Sequence, residues 1–175
     1  MALAARTSSE KERRTVLESR LPARTWPDRR LLITAVDTDS GEFAAFDRDS
    51  GVDLVDAVAA SCAVPGVWPP VTIGGRRWMD GGTRSAANAD LAAGCSRVVV
   101  LAPVAGGFGP MASVARQVAE LEKQGARVAV VGPDGAARQA IGRNLLDPAR
   151  RAPAARAGRA QAAAEAEAVA AVWSG

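Results

Sequence analysis

Apolar and polar positions alternate along this chain in short blocks, and their spacing predicts mixed helix and strand. Ser8 to Leu21 is charged and reads as a short helix that stops before Pro22, followed by an irregular stretch, Arg24 to Arg30, broken by Pro27. Leu31 to Val36 is a compact apolar run with β-branched members, the pattern of a buried strand. The polar turn Asp37 to Glu42 leads into a second strand, Phe43 to Phe46, so the pair predicts a β-hairpin. Asp53 is placed to cap a helix from Leu54, with Asp56 in its first turn, where a negative charge suits the helix dipole. Leu54, Val55, Val58, Ala59 and Cys62 then share one face, and Pro65-Gly66 ends the helix. Val71 to Ile73 and Arg76 to Met79 flank Gly74-Gly75, a two-residue loop suited to a tight hairpin that delivers Asp80 at its end.

The second half changes character. Asn88 to Ala93 predicts a short helix stopped by Gly94, and Arg97 to Leu101 is a nearly continuous apolar strand, as in a parallel sheet covered on both faces. Met111, Val114, Ala115, Val118 and Leu121 repeat at helical spacing up to Gly125, and Arg127 to Val131 is another strand. Strand, helix, strand in that order predicts a βαβ unit and an α/β fold. An alanine-rich helix is expected from Asp147 to Trp173. The pattern divides into a charged segment at 1–30, a main body at 31–146 and an Ala/Arg-rich helix at 147–175, which reads as an appendage rather than a second domain.

A length of 175 residues and 48% hydrophobic content fit one ordinary domain. No apolar run approaches the roughly 18 residues of a membrane-spanning helix, and residues 1–30 lack the apolar centre of a secretory signal. Two cysteines, Cys62 and Cys95, are too few for a disulfide scaffold, so a reducing cytoplasm is the expected location. The net charge of +3 owes much to Arg138, Arg143, Arg150, Arg151, Arg156 and Arg159, opposed locally by Asp147. Such a stripe is ordinarily a solvated helix face, but it can also dock on an anionic membrane or a partner chain. No aromatic residue is interleaved to stack on bases, so a nucleic-acid partner is not expected.

The candidate chemistry centres on Asp80-Gly81-Gly82. An aspartate can take the proton of a serine hydroxyl within hydrogen-bond reach, and glycines directly after it let the backbone turn and another segment approach closely. The same tripeptide is also an ordinary turn sequence. The chain contains no histidine and no Gly-x-Ser-x-Gly, so neither a Ser-His-Asp triad nor a nucleophile elbow is encoded in it. Ser61 has no base beside it in sequence, and Cys62 reads as a packed thiol on the apolar face. Asp37 and Asp39, and again Asp47 and Asp49, precede Ser-Gly and resemble calcium loops. Glycine and glutamate miss the positions an EF-hand needs, so turn chemistry is expected and no metal. Gly106-Gly107-Phe108-Gly109 lacks both the dinucleotide fingerprint and a P-loop lysine and reads as a connector, so no organic cofactor is expected either.

Taken in order, Ala60-Ser61-Cys62-Ala63-Val64-Pro65-Gly66, Trp68-Pro69-Pro70-Val71, the run Gly74 to Gly82 and Asn88-Ala89-Asp90-Leu91-Ala92 resemble the patatin-like phospholipase family. The resemblance reaches back through Ile33 to Asp37 and Asp39 to Phe43 and forward to Val98-Val99-Val100. It implies a three-layer α/β fold, incomplete here at its N-terminal side, and a lipid acyl hydrolase that uses a Ser-Asp dyad. It maps the base onto Asp80, with Gly81 and Gly82 beside it, and implies a lipid or ester substrate. The family's oxyanion loop and Gly-x-Ser-x-Gly elbow have no counterpart in residues 1–30. The resemblance therefore implies either a truncated product that is inactive alone or half of a split enzyme completed by a chain carrying the nucleophile. The contrasting expectation is a non-catalytic module that docks through its basic C-terminal helix.

Overall fold

The computed structural model describes residues 7–104 and 113–174. The polypeptide forms two compact units, one up to Ser85 and the other from Ala86.

In the first unit, helix α1 (Glu10–Arg20) opens with a full capping box. Ser9 Oγ accepts from the Glu12 amide, and the Glu12 carboxylate accepts from the Ser9 amide, so two of the otherwise unpaired donors at the helix start are satisfied. Strands β1 (Ile33–Asp37) and β2 (Phe43–Phe46) form the expected hairpin. Helix α2 (Leu54–Ser61) starts where Asp53 accepts hydrogen bonds from the amides of Val55 and Asp56. Strands β3 (Val71–Ile73) and β4 (Arg76–Asp80) turn through Gly74 and Gly75, both at positive φ (59° and 78°), the conformation of a type I′ hairpin. The hairpins join through an antiparallel β1–β4 ladder, giving the order β2-β1-β4-β3.

Both helices supply the core against this sheet. Leu17 of α1, Ala57, Ala59 and Ala60 of α2, and Ala35, Phe46, Val71 and Trp78 of the strands form one buried cluster. Phe46 and Trp78 meet edge to face at 5.1 Å, a geometry that adds about 1 kcal/mol beyond area burial. The charged 1–30 segment is thus tied into this unit. Arg14 pairs with Asp56 at 2.8 Å, Trp26 Nε1 donates to the Val52 carbonyl, and Arg13 stacks over Trp68. Glu10 accepts from the Thr72 amide at 2.7 Å, which blunts the open edge of β3.

One expectation for α2 is corrected. Cys62 is exposed, because the helix ends at Ser61 and Cys62 sits at the cap with φ −103° and ψ 6°, so the helical phase no longer applies to it. Ala57 and Ala60 are fully buried instead, and Val58 is only half-buried.

In the second unit, a 3₁₀ turn (Ala89–Ala92) precedes β5 (Arg97–Leu101), helix α3 (Val114–Lys123) and β6 (Arg127–Val131), with β5 and β6 parallel. This is the predicted βαβ unit. Buried Gln117 of α3 locks it to the 3₁₀ turn, accepting from the Ala89 amide and donating to Asp90 at 2.6 Å. Helix α4 (Gly135–Ile141), capped by Asp134, has no counterpart in the sequence reading; the run Gly135-Ala136-Ala137 carries too few large apolar residues to signal a period. Helix α5 (Arg151–Ser174) closes the chain with no buried residue. β5 is less covered than its composition implies. Val98 and Val100 are buried, but Leu101, the last residue of the strand, is 72% exposed. The glycine run 106–109 lies outside the described residues.

Asp37 pins the first unit's sheet. Its Oδ1 accepts from the amides of Asp39 and Ser40 and from the Ser40 hydroxyl, and its Oδ2 accepts from Arg76 Nε at 2.7 Å. Asp47 makes a simpler version of the same turn with the Asp49 amide. Both former calcium candidates are turns, as the sequence suggested. The bonds to Asp37, led by that from the Ser40 amide, hold its carboxyl well below the ordinary range. A depressed folded-state pKa adds stability that is present above the unfolded value of about 3.9 and lost as pH falls. The melting temperature should therefore drop steadily below about pH 4. Asp37→Asn should melt lower at pH 7 and lose less on acidification, a comparison that circular dichroism across pH 2 to 7 makes directly.

Candidate functional site

Asp80 is the last residue of β4 and lies opposite Ala35 in the β1–β4 ladder. Residues directly opposite in an antiparallel pair project to the same face, and Ala35 is completely buried in the core with α2. Asp80 therefore stands on the helix-covered face, at the rim of the sheet beside the end of α2. Its amide donates to the Ala63 carbonyl at 3.1 Å, which ties the strand end to the segment following that helix.

The backbone then tightens into a 3₁₀ turn over Gly81–Thr83. Asp80 Oδ1 accepts from the Gly82 amide at 2.7 Å, and the Thr83 hydroxyl donates to the Asp80 carbonyl at 2.7 Å. Neither glycine has a positive φ. Space is what requires them. A Cβ on Gly81 would lie 2.6 Å from Thr34 Cβ and 2.7 Å from the Thr34 carbonyl carbon, so β1 approaches too closely for any side chain. A Cβ on Gly82 would lie 2.9 Å from Asp80 Oδ1 and would push the carboxylate out of place.

Asp80 is half-buried, and that burial pushes its pKa above the ordinary value, partly offset by the Gly82 hydrogen bond. Among the described residues, Oδ2 accepts no hydrogen bond and no cation pairs with the carboxylate. One oxygen is thus fixed and the other is available to a proton donor. The charge of Asp80 also reaches Cys62: although the residue as a whole is exposed, its thiol is pushed up first by desolvation of the sulfur and then by the negative charge of Asp80, with Arg13 opposing. Ser61, the last residue of α2, has no hydrogen bond to Asp80. Among the described residues no group of acidic, cysteine or histidine side chains is placed to hold a metal ion.

The family model for Patatin, described as patatin-like phospholipase, matches residues 2–93. The chain belongs to the patatin-like phospholipase family. No curated protein matches the chain significantly. The matched segment starts before α1, so the charged N-terminal helix, set apart in the sequence reading, lies inside the patatin-like region. It also runs through the whole first unit, Asp80 included, and ends just beyond the 3₁₀ turn at Ala92. Mixed helix and strand within that match fits an α/β fold, and the family acts on lipid substrates. Among the described residues no helix is long and apolar enough to cross a membrane.

The sequence reading missed two features of this patatin-like site. Thr34, on β1, is the residue that excludes a side chain from Gly81; a threonine inside an apolar strand run carries no signal for that. The Asp37–Arg76 pair was also unread, although it anchors the two strands whose register positions Asp80.

Proposed function

We propose that Asp80 is the general base of a Ser-Asp dyad that hydrolyses carboxylic esters of lipids. The serine and its oxyanion donors would be contributed from outside these 175 residues, by further sequence or by a complementary chain. The observation that carries this reading is the Asp80 carboxylate itself. It is half-buried, has a raised proton affinity, is held through one oxygen by the Gly82 amide, and leaves its second oxygen open. A carboxylate in that state can accept the proton of an attacking hydroxyl and return it to the leaving alcohol.

The residues given do not hold the other terms of the reaction. Oxyanion donors are worth about 10²–10³ in rate for each group, and no Gly-x-Ser-x-Gly occurs among them. These 175 residues on their own should therefore not turn over esters. The body to residue 146 and the appended helix at 147–175 remain part of the same reading, with residues 1–30 counted with the patatin-like region rather than apart from it.

Fluorophosphonate labelling of the purified chain, read by intact mass, tests the absence of an activated serine. The expected spectrum contains no adduct. A single stoichiometric adduct, mapped first at Ser61, would replace the dyad proposed here by one internal to the chain. Binding of the chain to anionic vesicles that vanishes on charge reversal of Arg150, Arg151, Arg156 and Arg159, with no hydrolysis under any pairing, would favour the docking module instead.

A further inference from the structure

The parallel strands β5 and β6 end at Leu101 and Val131, and a groove of about 460 Å³ lies against those ends, walled by residues of α4 and α5. Leu101, Pro103, Val131, Ile141, Ala154 and Gly158 make its lining largely apolar. The volume is in the range of small-molecule sites, and the carboxyl ends of parallel strands are where open α/β sheets bind ligands. Leu101 leaves 72% of its surface to water. A large apolar side chain left open among apolar neighbours marks a binding surface, which a lone one on a convex surface does not.

The polar end of the groove is acidic. On α5, Ala154, Gly158 and Gln161 line the groove, and Glu165 follows Gln161 at i+4, so it stands on the same helix face one turn further on. Gln161 ties two acidic residues to the lining. Its Nε2 donates to the Gly132 carbonyl at 2.7 Å and to Glu165 Oε1 at 3.1 Å, and its Oε1 accepts from the Asp134 amide at 3.1 Å. Asp134 Oδ1 caps α4 by accepting from the Ala137 amide at 2.7 Å. Among the described residues, the second oxygen of each carboxylate accepts no hydrogen bond, and no cation pairs with either. Arg138 of α4 donates instead to the Pro133 carbonyl at 2.6 Å, and Arg150 lies 4.0 Å from Asp147. The groove lining itself holds no lysine or arginine.

An apolar groove that ends in unneutralised carboxylates complements an apolar body carrying a cation and disfavours an anion. An ammonium group donates three hydrogen bonds and accepts none, which suits oxygens that lack donors. We propose that this groove binds a hydrophobic primary amine in its ammonium form. The hydrocarbon lies against Leu101, Val131 and Ile141, and the ammonium sits on Glu165, with Asp134 adding to the negative field. The site uses only residues of the second unit and does not rest on the reading of Asp80, so either can fail without the other.

Calorimetric titration of the full 175-residue chain with octylammonium, octanol and octanoate, each kept below its aggregation limit, is the test. Octylammonium should bind saturably, one molecule per chain and about fivefold more tightly than octanol, the upper end for a partly exposed ion pair. Octanoate should bind more weakly than octanol. Glu165→Gln combined with Asp134→Asn keeps an acceptor oxygen for Gln161 and for the α4 cap, and should erase the preference for the ammonium. Added salt should narrow that preference in the parent chain. Gly158→Leu fills the groove from a helix position where a new Cβ meets nothing within 4 Å. That variant should keep the circular dichroism spectrum and bind octylammonium about tenfold more weakly or worse. The proposal is overturned by no saturable binding, by octanoate binding as tightly as octylammonium, by a preference that survives loss of both carboxylates, or by affinity indifferent to Gly158→Leu. Self-association that octylammonium cannot reverse would also overturn it, in favour of a second copy of the chain as occupant.

Discussion

Asp80→Asn should reduce ester hydrolysis by about 10²–10⁴-fold once the chain is completed by a patatin-like segment carrying the oxyanion loop and the Gly-x-Ser-x-Gly elbow. Asparagine keeps the oxygen that accepts from the Gly82 amide, so the turn persists while the base is gone. The same substitution should not destabilise the fold at neutral pH. Burial raises the pKa of Asp80 in the folded state, so its contribution to stability is fully present below the unfolded value near 3.9 and is lost as pH rises through the folded value. Removing the charge should therefore leave the variant at least as stable as the parent at pH 7, with the difference closing below about pH 4. A gain in stability with loss of activity is the usual mark of a strained functional group. The neighbouring thiol supplies a second readout. The Asp80 charge helps to hold the Cys62 pKa up, so Cys62 should alkylate faster in Asp80→Asn at pH 8. Hydrolysis undiminished by the substitution would remove Asp80 from the mechanism, and an unchanged alkylation rate would separate the two side chains.

Gly81→Ala should cost about 3 kcal/mol or more of stability, at the upper end for overpacking, because the atoms in its way are the Thr34 side chain and backbone rather than the tip of a flexible side chain. β1 would have to separate from the start of the 3₁₀ turn, and the Ala35–Asp80 register with it. Denaturant unfolding of the variant measures this. Gly81→Ala with Thr34→Gly should recover only part of the loss, since the second change removes the Thr34 side chain and leaves its carbonyl carbon 2.7 Å from the new methyl group. Gly82→Ala makes a useful contrast. Its methyl group would meet only Asp80 Oδ1 at 2.9 Å, so it should disturb the carboxylate and the reaction more than the fold.

Much of the first unit could be read without coordinates because local rules agreed with one another there. Asp53 before Leu54 and Gly74-Gly75 between two short apolar runs are each signals that act within a few residues. Both elements formed where expected. α4 escaped because alanine and glycine carry almost no periodic contrast, and Cys62 was misplaced because a helical phase was extended one residue past the end of its helix. β5 was expected to be covered on both faces from its composition alone, yet Leu101 is exposed. Composition reports what a strand can bury, and what packs on the two faces of its sheet decides what it does bury.

The candidate site divides along the same line. Asp80 could be singled out because its tripeptide is local and because the motifs around it resemble those of patatin-like proteins in order and spacing. The reason for the glycines could not. It lies in the approach of Thr34, 47 positions earlier, and in an Asp37–Arg76 pair that bridges two strands. The sequence by itself determined most of the helices, the hairpins and the place of Asp80 at a strand end, since each depends on interactions within a turn or two of chain. Only the tertiary structure decided which segment presses on Gly81, that burial raises the proton affinity of Asp80, and that the ends of β5 and β6 meet an apolar groove. Those are properties of residues far apart in the chain, set by strand pairing and by what each packed face excludes from water.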